Sequence, residues 1–281
     1  MKTVTFAKRA IQGLVGTLAV VASFGVQATP VVTLWGFEVN SGFAPTYLDS
    51  NDSMAGITAS NPNGFLGGLP SLLSWGGDAG SGQSSLGVGA ATSGQLIGDI
   101  VTNAAAENTV QVIHNNFPIY PPSLKSATLV DVIRLWAIAP AGPDFFAPVL
   151  NFNINFLETP NVAGTCVVAS PAGNPCNDIF VLDVVGAFFD PVNYTLVQGF
   201  DYNFNHYEAV LSISGLGPLS NAACLAAGAA IGCKGFTTIE GQENIMQVAL
   251  AINAVPEPAS LALFGVALAG LGMVRRRKNA A

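Results

Sequence analysis

The sequence predicts an all-β protein, an antiparallel β-sandwich or jelly-roll-like body with an apolar segment at each end. Three observations predict it. Apolar and polar residues alternate with period two over several runs. Pro, Gly and Asn punctuate those runs at hairpin-like intervals. Helical periodicity is scarce and a βαβ rhythm is missing, which argues against a parallel sheet.

Taken in order, residues 31–38 read as a first strand. Residues 41–94 are rich in Gly, Ser, Asn and Asp, with short apolar islands at Phe65-Leu66 and Leu72-Leu73-Ser74-Trp75. That stretch is either a large surface excursion or a set of short edge strands. Residues 96–106 fit a short helix or a further strand, and residues 109–114 a strand. Residues 127–138 form an apolar strand carrying polar Asp131 and Arg134. Residues 149–157 give the clearest signal: Asn151, Asn153 and Asn155 face one way, and Leu150, Phe152, Ile154 and Phe156 the other. One wet and one buried face are expected there. Strands follow at 178–185, 194–200 and 202–213, the last with Tyr202, Phe204 and His206 on one face. Residues 220–231 are Ala-rich and helical in character. Residues 246–252 alternate again and close the sheet.

The two ends are of a different kind. Lys2, Lys8 and Arg9 precede a largely apolar stretch at 10–26, and Val26-Gln27-Ala28 has the small residues of a cleavage site. This is the pattern of a signal peptide over 1–28, removed by signal peptidase. At the other end stand Val255, Pro256, Glu257 and Pro258, then an uncharged run at 261–274, then Arg275, Arg276, Arg277 and Lys278. As a helix the uncharged run is about 21 Å long, short of a hydrocarbon core of about 30 Å. It suits transient insertion into the inner membrane, with the basic cluster held on the cytoplasmic side. The chain therefore divides into a signal peptide (1–28), a body (29–254) and a sorting segment (255–281).

The Pro-Glu-Pro block, apolar helix and Arg-rich end together resemble the PEP-CTERM sorting signal of Gram-negative bacteria. The resemblance implies an exosortase partner, cleavage near Pro256-Glu257-Pro258, and delivery to the cell surface or extracellular matrix. It covers the last tenth of the chain. Within the body, Val112-Ile113-His114-Asn115-Asn116-Phe117-Pro118-Ile119 resembles the Thr-His-x-Asn block of the THxN subfamily of such proteins. His114 and Asn116 match, and Ile113 stands where that block has threonine. Leu73-Ser74-Trp75-Gly76 and the block from Phe236 through Glu240 to Asn244 are similar to further blocks of the subfamily. No enzyme activity is implied.

Charge narrows the field. All but one of the 17 acidic residues lie in the body, against three of the ten basic ones, Lys125, Arg134 and Lys234. So acidic a surface disfavours nucleic acid and anionic membrane as partners of the body. The four cysteines form two close couples, Cys166 with Cys176 and Cys224 with Cys233. In an exported chain an even count reads as disulfides, and the short spacing favours local pairing over the two crossed alternatives. A metal site built from all four cysteines wants tighter couples.

Catalytic constellations are thin. His114 and His206 sit on predicted strands without a third partner at short spacing, so structural or surface roles are expected for both. No nucleophile elbow, P-loop or dinucleotide fingerprint occurs. Asp201, Asn203 and Asn205 offer three oxygen ligands on one predicted strand face, a candidate Ca²⁺ site; otherwise no cofactor is expected. Among the tryptophans Trp35, Trp75 and Trp136, Trp75 is the candidate glycan contact, because it lies in the polar excursion. The sequence thus points to a non-enzymatic surface or matrix protein, structural or adhesive, associated with exopolysaccharide or biofilm. A carbohydrate-binding module and an exported hydrolase are the alternatives.

Overall fold

The computed structural model describes residues 30–89, 95–147 and 149–256. The signal peptide expected at 1–28 and the sorting residues from Glu257 onward lie outside them. The first half of the body supplies β1 (Leu34–Phe43), β2 (Leu48–Asp49), β3 (Ile57–Asn63), β4 (Leu69–Trp75) and β5 (Gly77–Asp78). It continues with β6 (Ser84–Val88), β7 (Gln95–Val101), β8 (Glu107–Asn116), β9 (Ile119–Tyr120) and β10 (Leu124–Ala139). The second half gives β11 (Ala141–Phe146), β12 (Leu150–Leu157), β13 (Asp178–Val185), β14 (Phe188–Asp190) and β15 (Thr195–Tyr202). Last come β16 (Asn205–Ile213), β17 (Gly217–Pro218), α1 (Asn221–Ala226), β18 (Lys234–Thr238) and β19 (Gln242–Val255).

Two large antiparallel sheets result. A nine-stranded sheet runs β17-β18-β13-β12-β10-β1-β7, with β11 and β2 also on β10. An eight-stranded sheet runs β14-β15-β16-β19-β8-β6-β4-β3, and β5 pairs β9 in a small ribbon. One apolar cluster draws inward-facing residues from both large sheets. At one end of that core Trp35 meets Phe200, Tyr202 and Tyr207 edge-on at 4.9–5.9 Å. Its indole donates to Thr102 Oγ1 at 3.1 Å, so burying the ring leaves no polar atom wasted.

The period-two reading holds where it was strongest. Along β12 the burial alternates as expected, with Leu150, Phe152, Ile154 and Phe156 inside. Strand β10 alternates over nearly its whole length and places Asp131 among the inward residues, where it accepts a hydrogen bond from Ser41. The polar stretch at 41–94 contains real strands: β3, β4 and β6 extend the eight-stranded sheet to its edge. The ambiguous segment at 96–106 is strand β7 as far as Val101 and a turn beyond it, with no helix. Only six residues of the Ala-rich stretch are helical, started by the Ser220 side chain accepting from Ala223 N. This helix covers the outer face of β13 through Ala223, Ile179 and Val181.

One expected strand is in fact two. Residues 202–213 break into a hairpin, with Asn203 and Phe204 as the two-residue turn between β15 and β16. Both have positive φ, 48° and 61°, as a primed hairpin turn requires. Among the described residues no helix is long and apolar enough to cross a membrane.

Both cysteine couples are closed locally, Cys166–Cys176 with Cα atoms 5.3 Å apart and Cys224–Cys233 at 5.7 Å. Peptide mapping without reductant should recover those two linkages, and a crossed linkage would contradict the fold. Replacing Cys224 and Cys233 by Ser should lower stability in urea by about 3 kcal/mol, the loop-entropy value for a ring of this size.

Candidate functional site

The polar focus of the molecule lies where four strand ends meet. Leu157 pairs with Ile179 across β12 and β13, so Glu158 and Asp178 stand opposite each other one step further on. Asp178 pairs in turn with Thr238, the last residue of β18, and Glu240 follows in the turn that leads to β19. That turn crosses from one large sheet to the other, and β19 opens against Asn116 at the end of β8. Glu158, Asp178 and Glu240 each bring a carboxylate oxygen within 4.8 Å of the other two.

Few donors reach this cluster. The Thr159 N–H donates to Asp178 Oδ1 at 2.7 Å. The Asn116 amide also meets the Asp178 carboxylate. Asn161, its amide oriented by its neighbours, donates to the Glu240 oxygens at 3.3 and 3.1 Å. The Trp75 indole N–H faces Glu158 without reaching hydrogen-bond geometry. Both Glu158 oxygens, Asp178 Oδ2 and Asn116 Oδ1 are buried with no hydrogen-bond partner. Burial of the charged form, reinforced by neighbouring carboxylates, pushes Glu158 up to about 9 and Asp178 to about 8. Burial alone lifts Glu240 to about 7. Such a set can share protons or hold a cation; it cannot keep three bare charges.

Beneath the carboxylates lies an aromatic floor. His114 is stacked on Trp75 at 5.7 Å and enclosed edge-on by Phe156 and Phe180 at 5.6 and 4.9 Å. Its Nδ1 shares a hydrogen bond of 2.9 Å with Thr238 Oγ1. Burial drives its pKa down to about 3, so the ring is neutral. The blocks around Trp75, around His114 and Asn116, and from Phe236 to Asn244, far apart in sequence, thus converge on one place. Glu158 and Asp178 escaped the sequence reading altogether.

Other expected site residues fare differently. Trp75 is 0% exposed, so it is not the glycan contact: the supposed excursion folds as β4 and turns the ring into the core. Trp35 is equally buried. Trp136 alone among the three reaches the outer face, half-buried. Asp201, Asn203 and Asn205 do not line one strand face, because Asn203 lies in the hairpin turn. Asp201 faces His206 instead, 2.7 Å from its Nδ1. Val255 ends β19, paired with His206 on β16, and Pro256 follows it.

Residues 254–278 match the family model of the PEP-CTERM protein-sorting motif. The motif supports export of the chain and its sorting to the cell surface by an exosortase. No curated protein matches the chain.

The shifts predict a pH dependence. With divalent cations chelated, the folded state holds protons on Glu158, Asp178 and Glu240 that the unfolded chain releases near its ordinary values of 3.8 to 4.5. Stability therefore falls as pH rises from those values to about 9. His114 opposes the trend only between about 3 and 6.5. Above pH 6.5 the carboxylates act unopposed, and the melting temperature should fall steadily to about pH 9. E158Q should flatten that slope. A melting temperature independent of pH from 6.5 to 9 would contradict the burial of the cluster.

Proposed function

We propose that the chain is a non-enzymatic component of the cell surface or extracellular matrix. Its body is a β-sandwich serving a structural or adhesive role beside exopolysaccharide or within a biofilm. The observation that carries this reading is where the sorting motif begins, at the last residues of β19. That strand lies between β16 and β8, so a cut beyond Val255 leaves both of its pairings whole. The body can then be delivered without disturbing its sheets. On this reading residues 1–28 are the signal peptide and 255–281 the sorting segment, placed transiently in the inner membrane, and the chain is of the THxN type.

The carboxylate cluster suits this role better than hydrolysis. A retaining glycosidase needs one carboxyl held protonated and another held ionised. Here all three are driven the same way. Deleting Arg275 to Lys278 should leave unprocessed precursor in the membrane fraction, seen by immunoblot of fractionated cells. Normal surface delivery of that variant would overturn the sorting assignment.

The carbohydrate-binding reading moves to Trp136. Its ring lies flat against Gly36, where a Cβ would come within 2.0 Å of it. The Arg134 guanidinium sits 5.4 Å from the ring, held by Glu38 and Asp144. Gly36 pairs with Asp99 and Trp136 with Asp144, so carboxylates flank the aromatic surface. Aromatic rings beside carboxylates can stack on sugars and bind their hydroxyls. Glycan-array binding that W136A reduces at least tenfold would support this second reading. Binding unchanged by W136A, or none at all, would remove it.

A further inference from the structure

We propose that Glu158, Asp178 and Glu240, with Asn116, form a site for one hard divalent cation of the calcium class. The cation clamps together the ends of β8, β12, β13 and the β18–β19 turn. The proposal begins from a shortage of donors. Both oxygens of Glu158, which faces only the Trp75 indole and the Asn161 amide, and Oδ2 of the fully buried Asp178 have no partner in hydrogen-bond geometry. Asn116 adds an independent observation. It is 0% exposed, its amide meets Asp178, and its Oδ1 has no partner. A buried amide oxygen without a donor is costly, and a cation held by the neighbouring carboxylates would relieve it.

Oxygen is the only donor type in the cluster, which selects hard cations over zinc or copper. His114 stands outside it, engaged with Thr238 and the surrounding rings. The set is irregular, drawn from strand ends and a turn. Calcium tolerates such flexible geometry at six to eight ligands, whereas magnesium demands a near-ideal octahedron. Calcium sites of extracellular modules bind in the range of about 10⁻⁴–10⁻³ M, which a surface protein would fill once outside the cytoplasm. The binding chemistry itself does not depend on the proposed function.

The test is calorimetric titration of the purified full-length chain in detergent, stripped with chelator, against CaCl₂ and MgCl₂ at about pH 7. One equivalent of Ca²⁺ should bind, and Ca²⁺ at about 100 times its dissociation constant should raise the melting temperature by about 5–10 °C. E158Q and E240Q should each weaken binding at least tenfold, while D201N should leave it unchanged. No Ca²⁺ binding by the unmodified chain would overturn the proposal, even if the variants fail to fold. Binding untouched by E158Q and E240Q, or equal affinity for Mg²⁺, would overturn it as well.

Discussion

Three carboxylates crowded within 4.8 Å, largely out of water, cannot all remain negative. That electrostatic constraint governs one end of this molecule. It requires either protons or a bound cation to hold Glu158, Asp178 and Glu240 in place. Beneath them lies a neutral, aromatic floor. His114 is kept uncharged by burial among Trp75, Phe156 and Phe180, and its Nδ1 is engaged by Thr238. The elements that meet here belong to both large sheets, so the condition of the cluster bears on how the sheets are joined.

The opposite end is held by different means. Trp35, Phe200, Tyr202 and Tyr207 interlock there, and the Tyr207 hydroxyl accepts a hydrogen bond from Val32 N at 2.9 Å. The Trp35 indole and the Tyr202 hydroxyl have partners too, in Thr102 and the Pro143 carbonyl. Apolar packing with satisfied hydrogen bonds is insensitive to pH and to ions. The contrast assigns environmental sensitivity to the end that carries the carboxylates. The sorting motif begins away from it, at the end of β19 that pairs with His206.

Much of the fold was legible because alternation is a local signal. Asn151, Asn153 and Asn155 announced the wet face of β12 without any tertiary knowledge, and close cysteine spacing announced two local disulfides. The polar stretch at 41–94 was harder. Its Gly and Ser content masks short strands whose burial depends on the neighbours they meet, so Trp75 looked exposed when it is core. The hairpin at Asn203-Phe204 was missed because phenylalanine rarely adopts positive φ. The carboxylate cluster left almost no local trace. Its members sit at strand boundaries far apart in sequence, and only antiparallel register brings them together. In so charge-poor a chain, acidic residues at strand ends beside the His114 and Phe236 blocks were the available hint.

The central claim is that the cluster is completed by a cation rather than by protons alone. Its most direct test is long-wavelength anomalous diffraction from crystals of the protein grown with Ca²⁺. The account predicts a single anomalous peak at about 2.3–2.6 Å from oxygens of Glu158, Asp178 and Glu240. A map without that peak, with the carboxyl groups hydrogen-bonded directly to one another, would contradict it.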